Sequence, residues 1–152
     1  MPLGVEFARR CGDPDTEAIL PLRVSYLLEP LRAVDNGKGL TNSELEWSSD
    51  FAVTTVVATA GYPDAPRKGA VISLPPSEPG VNVFHAGTAV NASGELVVTG
   101  GRVFAVTAVR PTLAEAQRDS GRVAGAIDLE GKQLRHDIGW RELERGAGAT
   151  RD

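Results

Sequence analysis

The sequence predicts an α+β fold, a small antiparallel sheet of three or four strands with helices on one face. Three observations carry this. The run Phe51 to Ala60 (FAVTTVVATA) is rich in β-branched residues and short enough for a strand. Three more strand-like stretches, Val81 to His85, Glu95 to Thr99 and Arg102 to Val109, follow in a meander separated by turn residues, not helices. Directly after them, Thr112-Leu113-Ala114-Glu115 is a capping-box pattern that opens a helix.

Taken in chain order, Leu3 to Ala8 reads as a short strand, with Val5 and Phe7 on one face and Glu6 on the other. The chain begins inside a pattern, which points to a start within a longer polypeptide. Asp13 suits a helix N-cap and Pro14 the first helical position, with acidic residues favouring the first turn. This helix should run through Ile19 and Leu20 and break near Pro21. A second helical piece, Ser25 to Ala33, should bury Leu27, Leu28 and Leu31 and end at Asp35-Asn36-Gly37.

Gly61 to Gly80 reads as a long loop with a brief strand at Ala70 to Leu74. Asn91 to Gly94 is the first turn of the meander, and Gly100-Gly101 the second, of a two-residue hairpin type. The capped helix should reach about Ile127, with Leu113, Ala116, Val123, Ala124 and Ile127 at helical spacing. Asp128 to Asp137 is mostly polar, Trp140 to Leu143 a terminal turn, and Glu144 to Asp152 a frayed tail. One compact domain is expected from about Ser49 onward, with the residues before it forming the edge of another.

Bulk properties set the limits. A chain of 152 residues can bury roughly two thirds of its unfolded surface. Its 41% hydrophobic and 24% charged composition is that of an ordinary globular protein. A net charge of −4 argues against a nucleic-acid-binding surface. Thirteen of the 16 basic residues are arginine, which suits phosphate and carboxylate contacts but also follows from a GC-rich genome. No apolar run approaches the ~18 residues of a membrane span, and no secretion signal is visible. The single cysteine, Cys11, can form no internal disulfide and reads as a packing residue, so a reducing cytoplasm is the expected setting. The two histidines, His85 and His136, are not spaced like metal ligands.

Four stretches stand out: VEFARRCGDPDTE from Val5, GYP with a later Lys-Gly between Gly61 and Gly69, VFHAGTA together with GGRVFAVTA between Val83 and Ala108, and RHDIGWREL from Arg135. In this order and spacing they resemble the end of the ATP-grasp domain and the whole carboxy-terminal domain of the phosphoribosylamine–glycine ligases. The resemblance extends to about Leu143. It implies an ATP-grasp remnant, its last strand and helix, over residues 1–48, the family's carboxy-terminal domain over 49–143 and a flexible tail over 144–152. It also implies an ATP-dependent ligase of purine synthesis, which joins glycine to 5-phosphoribosylamine through a glycyl phosphate, with magnesium (or manganese) and ATP. The rest of the ATP-grasp body would be the missing partner, and the chain alone would be inactive. The alternative is a non-catalytic small-molecule-binding or assembly domain left after loss of that body.

In the family the first stretch usually reads E-F-N-x-R-F-G-D-P-E-T-Q, its Glu and Asn binding magnesium. Glu6 matches the metal-binding Glu, whereas Ala8 stands where the Asn should be. Arg10, Asp13, Pro14 and Thr16 match, while Cys11 and Glu17 replace Phe and Gln. On a strand Glu6, Ala8 and Arg10 would share a face. Glu6 could hold a hard cation and Arg10 could steady a transferring phosphoryl group, but Ala8 leaves the set one ligand short. Beside its reading as a helix cap, Asp13 is a candidate for substrate binding. His85 reads as structural or as lining the substrate cleft. Arg102 reads as a surface arginine or as a grip on a ribose phosphate.

Overall fold

The computed structural model describes residues 12–37, 39 and 45–148. The expected strand Leu3 to Ala8, and with it Glu6, Ala8, Arg10 and Cys11, lies outside the described residues. The described part is α+β. Strands β1 (Phe51–Ala58), β2 (Val81–His85) and β5 (Arg102–Arg110) form an antiparallel sheet in the order β1-β5-β2. Strands β3 (Thr88–Val90) and β4 (Leu96–Val98) pair as a separate hairpin. The helices are α1 (Asp15–Ile19), followed by a 3₁₀ turn at Leu20–Leu22, then α2 (Leu28–Asp35), α3 (Leu113–Ala126) and α4 (Trp140–Gly148).

The sheet is built around β5, whose centre is buried on both faces, as its continuous apolar sequence demands. On one face Val53, Thr55 and Val57 align with Ala108, Val106 and Phe104. Helix α3 covers this face. Val123, Ala124 and Ile127 join Val57, Phe104, Val106, Ile72, Val98 and Leu129 in one core. Between α3 and β1 the buried hydroxyls of Thr55 and Ser120 meet at 2.5 Å, one donating to the other. The opposite face meets α1. Thr54 and Thr107 pair at 2.7 Å, and the Thr107 hydroxyl donates to the Glu17 carbonyl at 2.9 Å.

Helix α3 starts where its sequence says it should. The Thr112 hydroxyl accepts from the Glu115 N–H at 3.3 Å, which caps the helix, and donates to the Glu115 carboxylate at 2.7 Å. Helix α1 breaks into the 3₁₀ turn at Pro21, and Gly37 (φ 69°) ends α2, both as the sequence predicts.

Other expectations fail for physical reasons. Asp13 does not cap α1: Pro14 occupies the cap position without a side-chain bond, and the Asp13 carboxylate is engaged elsewhere. The brief strand at Ala70 to Leu74 is reduced to two isolated bridges, Val71 with Val97 and Ser73 with Asp128. The meander is not one either. Its Asn91–Gly94 turn joins β4 to the short β3, which the sequence reading passed over. Gly100-Gly101 does not close a hairpin, because β4 pairs with β3 while β5 pairs with β1 and β2. Neither of these glycines has the positive φ that a two-residue hairpin turn needs.

Leu27, Leu28 and Leu31 are exposed rather than buried, and Pro30 is the one buried residue of α2. Pro30 fits because it sits in the first helical turn, where backbone N–H groups have no helical partner. The apolar stripe of α2 has no broad partner among the described elements. At the other end, α4 runs to Gly148, past the terminal turn expected at Leu143.

Candidate functional site

Two of the stretches singled out by sequence come into contact. The end of β2 leads through Ala86 to Gly87, whose N–H donates to the Arg102 carbonyl at 2.8 Å. The Gly87 carbonyl in turn accepts from Thr99 at 2.8 Å and Gly100 at 3.3 Å. A Cβ on Gly87 would lie 2.7 Å from the Gly100 Cα, and one on Gly101 would lie 2.4 Å from the Tyr62 ring. These glycines permit backbone and ring to approach closely. The His-Ala-Gly-Thr and Gly-Gly-Arg stretches therefore form one joint at the end of the sheet, with the Gly61-Tyr62-Pro63 stretch packed beside it.

Arg102 projects from this joint to the amino-terminal arm. Its Nη2 lies 3.2 Å from the Asp13 carboxylate, and its Nη1 donates to the Asp13 carbonyl at 3.1 Å. Both side chains are about two-fifths exposed. An exposed pair of this kind contributes about 0–1 kcal/mol, so it can exchange partners. A guanidinium carries five N–H donors in a fork matched to planar or tetrahedral oxyanions, and Asp13 leaves part of that fork open.

His85 sits on β2 opposite Phe104 of β5, two residues from Arg102. Its ring stands edge-on to Phe104 at 5.0 Å, and its Nδ1 lies 2.9 Å from the Thr88 hydroxyl. These two contacts fix the ring plane and leave its far edge on an exposed residue. Asp13 and Arg102 thus meet, and His85 lies on the neighbouring strand at the same end of the sheet. Glu6 and Arg10 lie outside the described residues. Among the described residues no group of three His, Cys, Asp or Glu could hold a metal ion.

A second charged cluster, which the sequence reading missed, braces the opposite end of β5. The buried Asp119 carboxylate accepts from Arg110 Nε at 2.7 Å and Arg118 Nε at 3.1 Å. Those two bonds hold its carboxyl below the usual aspartate range. Arg122 grips Glu78 through two bonds, 2.8 and 2.6 Å, and lowers its pKa likewise. The signal was present as arginines at 118 and 122 flanking an aspartate on one helix. The partner, Arg110, lies on a strand and could not be inferred from helical spacing.

Comparisons with known proteins identify the family and the fold. Residues 52–141 match the family described as phosphoribosylglycinamide synthetase, C domain. The chain is 40% identical to the chloroplastic phosphoribosylamine–glycine ligase of Arabidopsis thaliana, over 100% of this chain and 29% of that protein. It is 42% identical to the phosphoribosylamine–glycine ligase of Chlorobaculum tepidum, over 94% of this chain and 34% of that one. Among solved structures, the phosphoribosylamine–glycine ligase of Thermotoga maritima superimposes with a TM-score of 0.72 at 37% identity, covering 83% of this chain and 30% of that one. The chain spans about a third or less of the length of these relatives. On these matches, the chain belongs to the phosphoribosylglycinamide synthetase C-domain family.

Proposed function

We propose that this chain supplies the carboxy-terminal part of a phosphoribosylamine–glycine ligase, which joins glycine to 5-phosphoribosylamine and splits ATP to ADP and phosphate through a glycyl phosphate. The observation that carries this reading is the joint at the sheet end. The arm bearing Gly12-Asp13-Pro14 is tied to Arg102, on the strand that pairs with the one bearing His85, so that stretches far apart in sequence meet at one end of the sheet. In this reading Arg102 turns part of its fork to the ribose phosphate of phosphoribosylamine, Asp13 contacts the glycine amine, and His85 lines the cleft wall. Arg10 faces the transferring phosphoryl group, where a fixed positive charge stabilises the developing negative charge.

Glu6 would hold magnesium, for which a carboxylate oxygen is a suitable donor and Ala8 offers none. The cation, when bound, screens the phosphate charges of ATP. The setting is the cytoplasm.

The partner in this reading is the ATP-grasp body. Such a body would explain why Val24, Tyr26, Leu28, Leu31 and Val34 stand exposed along the arm, since a patch of this kind marks an interaction surface. A direct test mixes the pure chain with an ATP-grasp body that lacks its own carboxy-terminal part and follows ADP release dependent on both glycine and phosphoribosylamine. The chain alone should be silent and the mixture active. A silent mixture in which the two parts nonetheless bind would favour a non-catalytic assembly domain, a reading that Ala8 at a metal-ligand position also favours.

A further inference from the structure

Away from the sheet-end joint, a cleft of about 230 Å³ opens between α3 and the segment that follows Gln133. That segment is pinned at both ends. Ala58 and Gln133 exchange two backbone bonds of 3.0 and 2.8 Å at the end of edge strand β1. The Gln117 side chain on α3 donates to the Ile138 carbonyl at 2.6 Å. Between the pins Arg135 and His136 line one wall, Arg118 and Gly121 of α3 the other, with Thr55 of β1 among them.

The walls carry positive charge with donors to spare. Arg118 spends its Nε on Asp119, a carboxylate it shares with Arg110 and Arg122. Arg135 spends Nε and Nη2 on Asp137. Among the described residues none that carries a carboxylate lines the cleft. Gly121 is the second observation. Glycine inside a helix is less favourable than alanine, yet a Cβ at Gly121 would meet nothing within 4 Å, and its φ is not positive. Neither packing nor backbone conformation calls for glycine there, and what it provides is room in the cleft wall.

We propose that this cleft binds a phosphate group, free or as the monoester of a small metabolite, gripped by Arg118 and Arg135 with His136 as a further polar contact. Arginine forks match phosphate oxygens and make the stronger, charge-assisted class of hydrogen bond. The site is separate from the cluster of Asp13, His85 and Arg102, and does not depend on the ligase reading.

The test is an NMR titration of the full ¹⁵N-labelled chain at constant ionic strength, with inorganic phosphate in one arm and ribose 5-phosphate in the other. The expected result is saturable shifts at Gln117, Gly121 and His136 with a Kd of about 1 mM or below. Saturation by both ligands identifies free phosphate as sufficient, and saturation by the sugar phosphate alone identifies a monoester. Arg135→Gln should weaken binding about tenfold by removing one charge-assisted grip, and Gly121→Leu should abolish it by filling the cleft. Gly121→Ala guards against misfolding: it should keep or raise the thermal midpoint while weakening binding. Shifts confined to His85 and Arg102, no saturation in either arm, or unchanged affinity in folded Gly121→Leu would each overturn the proposal.

Discussion

The sheet-and-helix unit from Phe51 to Leu129 and the amino-terminal arm from Asp13 to Asp35 use the same apolar alphabet to opposite ends. In the first, Val57, Phe104, Val106 and Ile127 lose all contact with solvent. In the second, Val24 is 65% exposed, Tyr26 88% and Leu31 56%. Both α2 and α3 are amphipathic, but α3 has a strand pair to lie on, and α2 has no comparable neighbour among the described residues. An apolar stripe therefore states that a helix has a buried side somewhere, not that the buried side lies within the same chain. Most helical stability comes from such packing rather than from intrinsic propensity, so the two regions should answer mutation very differently.

The largest contrast is between core truncations. Phe104→Ala empties a fully buried site and should cost about 3–5 kcal/mol, measured by urea unfolding of the chain. Leu31→Ala on the arm should stay within about 0.5 kcal/mol, because little buried contact is lost. Equal costs at the two positions would mean that the arm is packed as tightly as the core and would end the comparison.

The next effect sharpens it electrostatically. Asp119 is buried among arginines, and Asp119→Asn removes a charge that Arg110 and Arg118 both grip. Bonds to charged groups contribute about 1.5–3 kcal/mol, so a loss of about 2 kcal/mol is expected. The pH dependence has a definite sign. The folded carboxyl titrates below its ordinary 3.8. Its contribution is therefore complete above the unfolded pKa and fades as pH falls through the folded one. Urea midpoints should fall as pH drops below about 4, and in Asp119→Asn that part of the fall should be smaller. Identical pH profiles for the two proteins would show that the cluster contributes nothing to acid stability.

A smaller loss should follow Thr55→Val. The substitution keeps the shape of the side chain but strands the buried Ser120 hydroxyl, at about 1–2 kcal/mol. Pairing it with Ser120→Ala is the check: the double variant should recover part of the loss, since removing both partners leaves no unsatisfied group. A double variant no better than Thr55→Val would show that the hydroxyl pair is not the source of the cost.

What the sequence made legible follows from how local each signal is. The start of α3 is written in four adjacent residues, Thr112 to Glu115, and β1 in its β-branched run. The position of β5 at the sheet centre depends on two partner strands, both earlier in the chain, one some fifty residues back and the other about twenty, and no short window holds that. The pair Gly100-Gly101 shows the ambiguity well. A hairpin turn and a close backbone approach both call for glycine, and the identity of the neighbour, Gly87 or Tyr62, separates them. The site residues came through the resemblance. That Asp13 meets Arg102 across 89 positions is a property of the fold alone. The cap expected of Asp13 fails because the same carboxylate serves a longer-range partner.

That junction gives the smallest effect on stability and the strictest test of how the two regions are joined. Arg102→Ala removes a half-exposed ion pair and one bond to the Asp13 carbonyl. Exposed pairs contribute about 0–1 kcal/mol and weaken further with salt, so the unfolding midpoint should barely move. Amide exchange should respond instead. The arm is held to the sheet by the Thr107–Glu17 bond and the Arg102–Asp13 contact, and losing the second should speed exchange at Thr16 and Ala18 while leaving Val103 to Thr107 protected. If Arg102 grips the ribose phosphate as proposed, the same substitution in a complete ligase should raise the KM for phosphoribosylamine more than it lowers kcat, because that phosphate is remote from the bond being made. An unfolding midpoint that fell as far as in Phe104→Ala would make Arg102 a structural residue. Unchanged exchange in the arm would show that the ion pair does not fasten it.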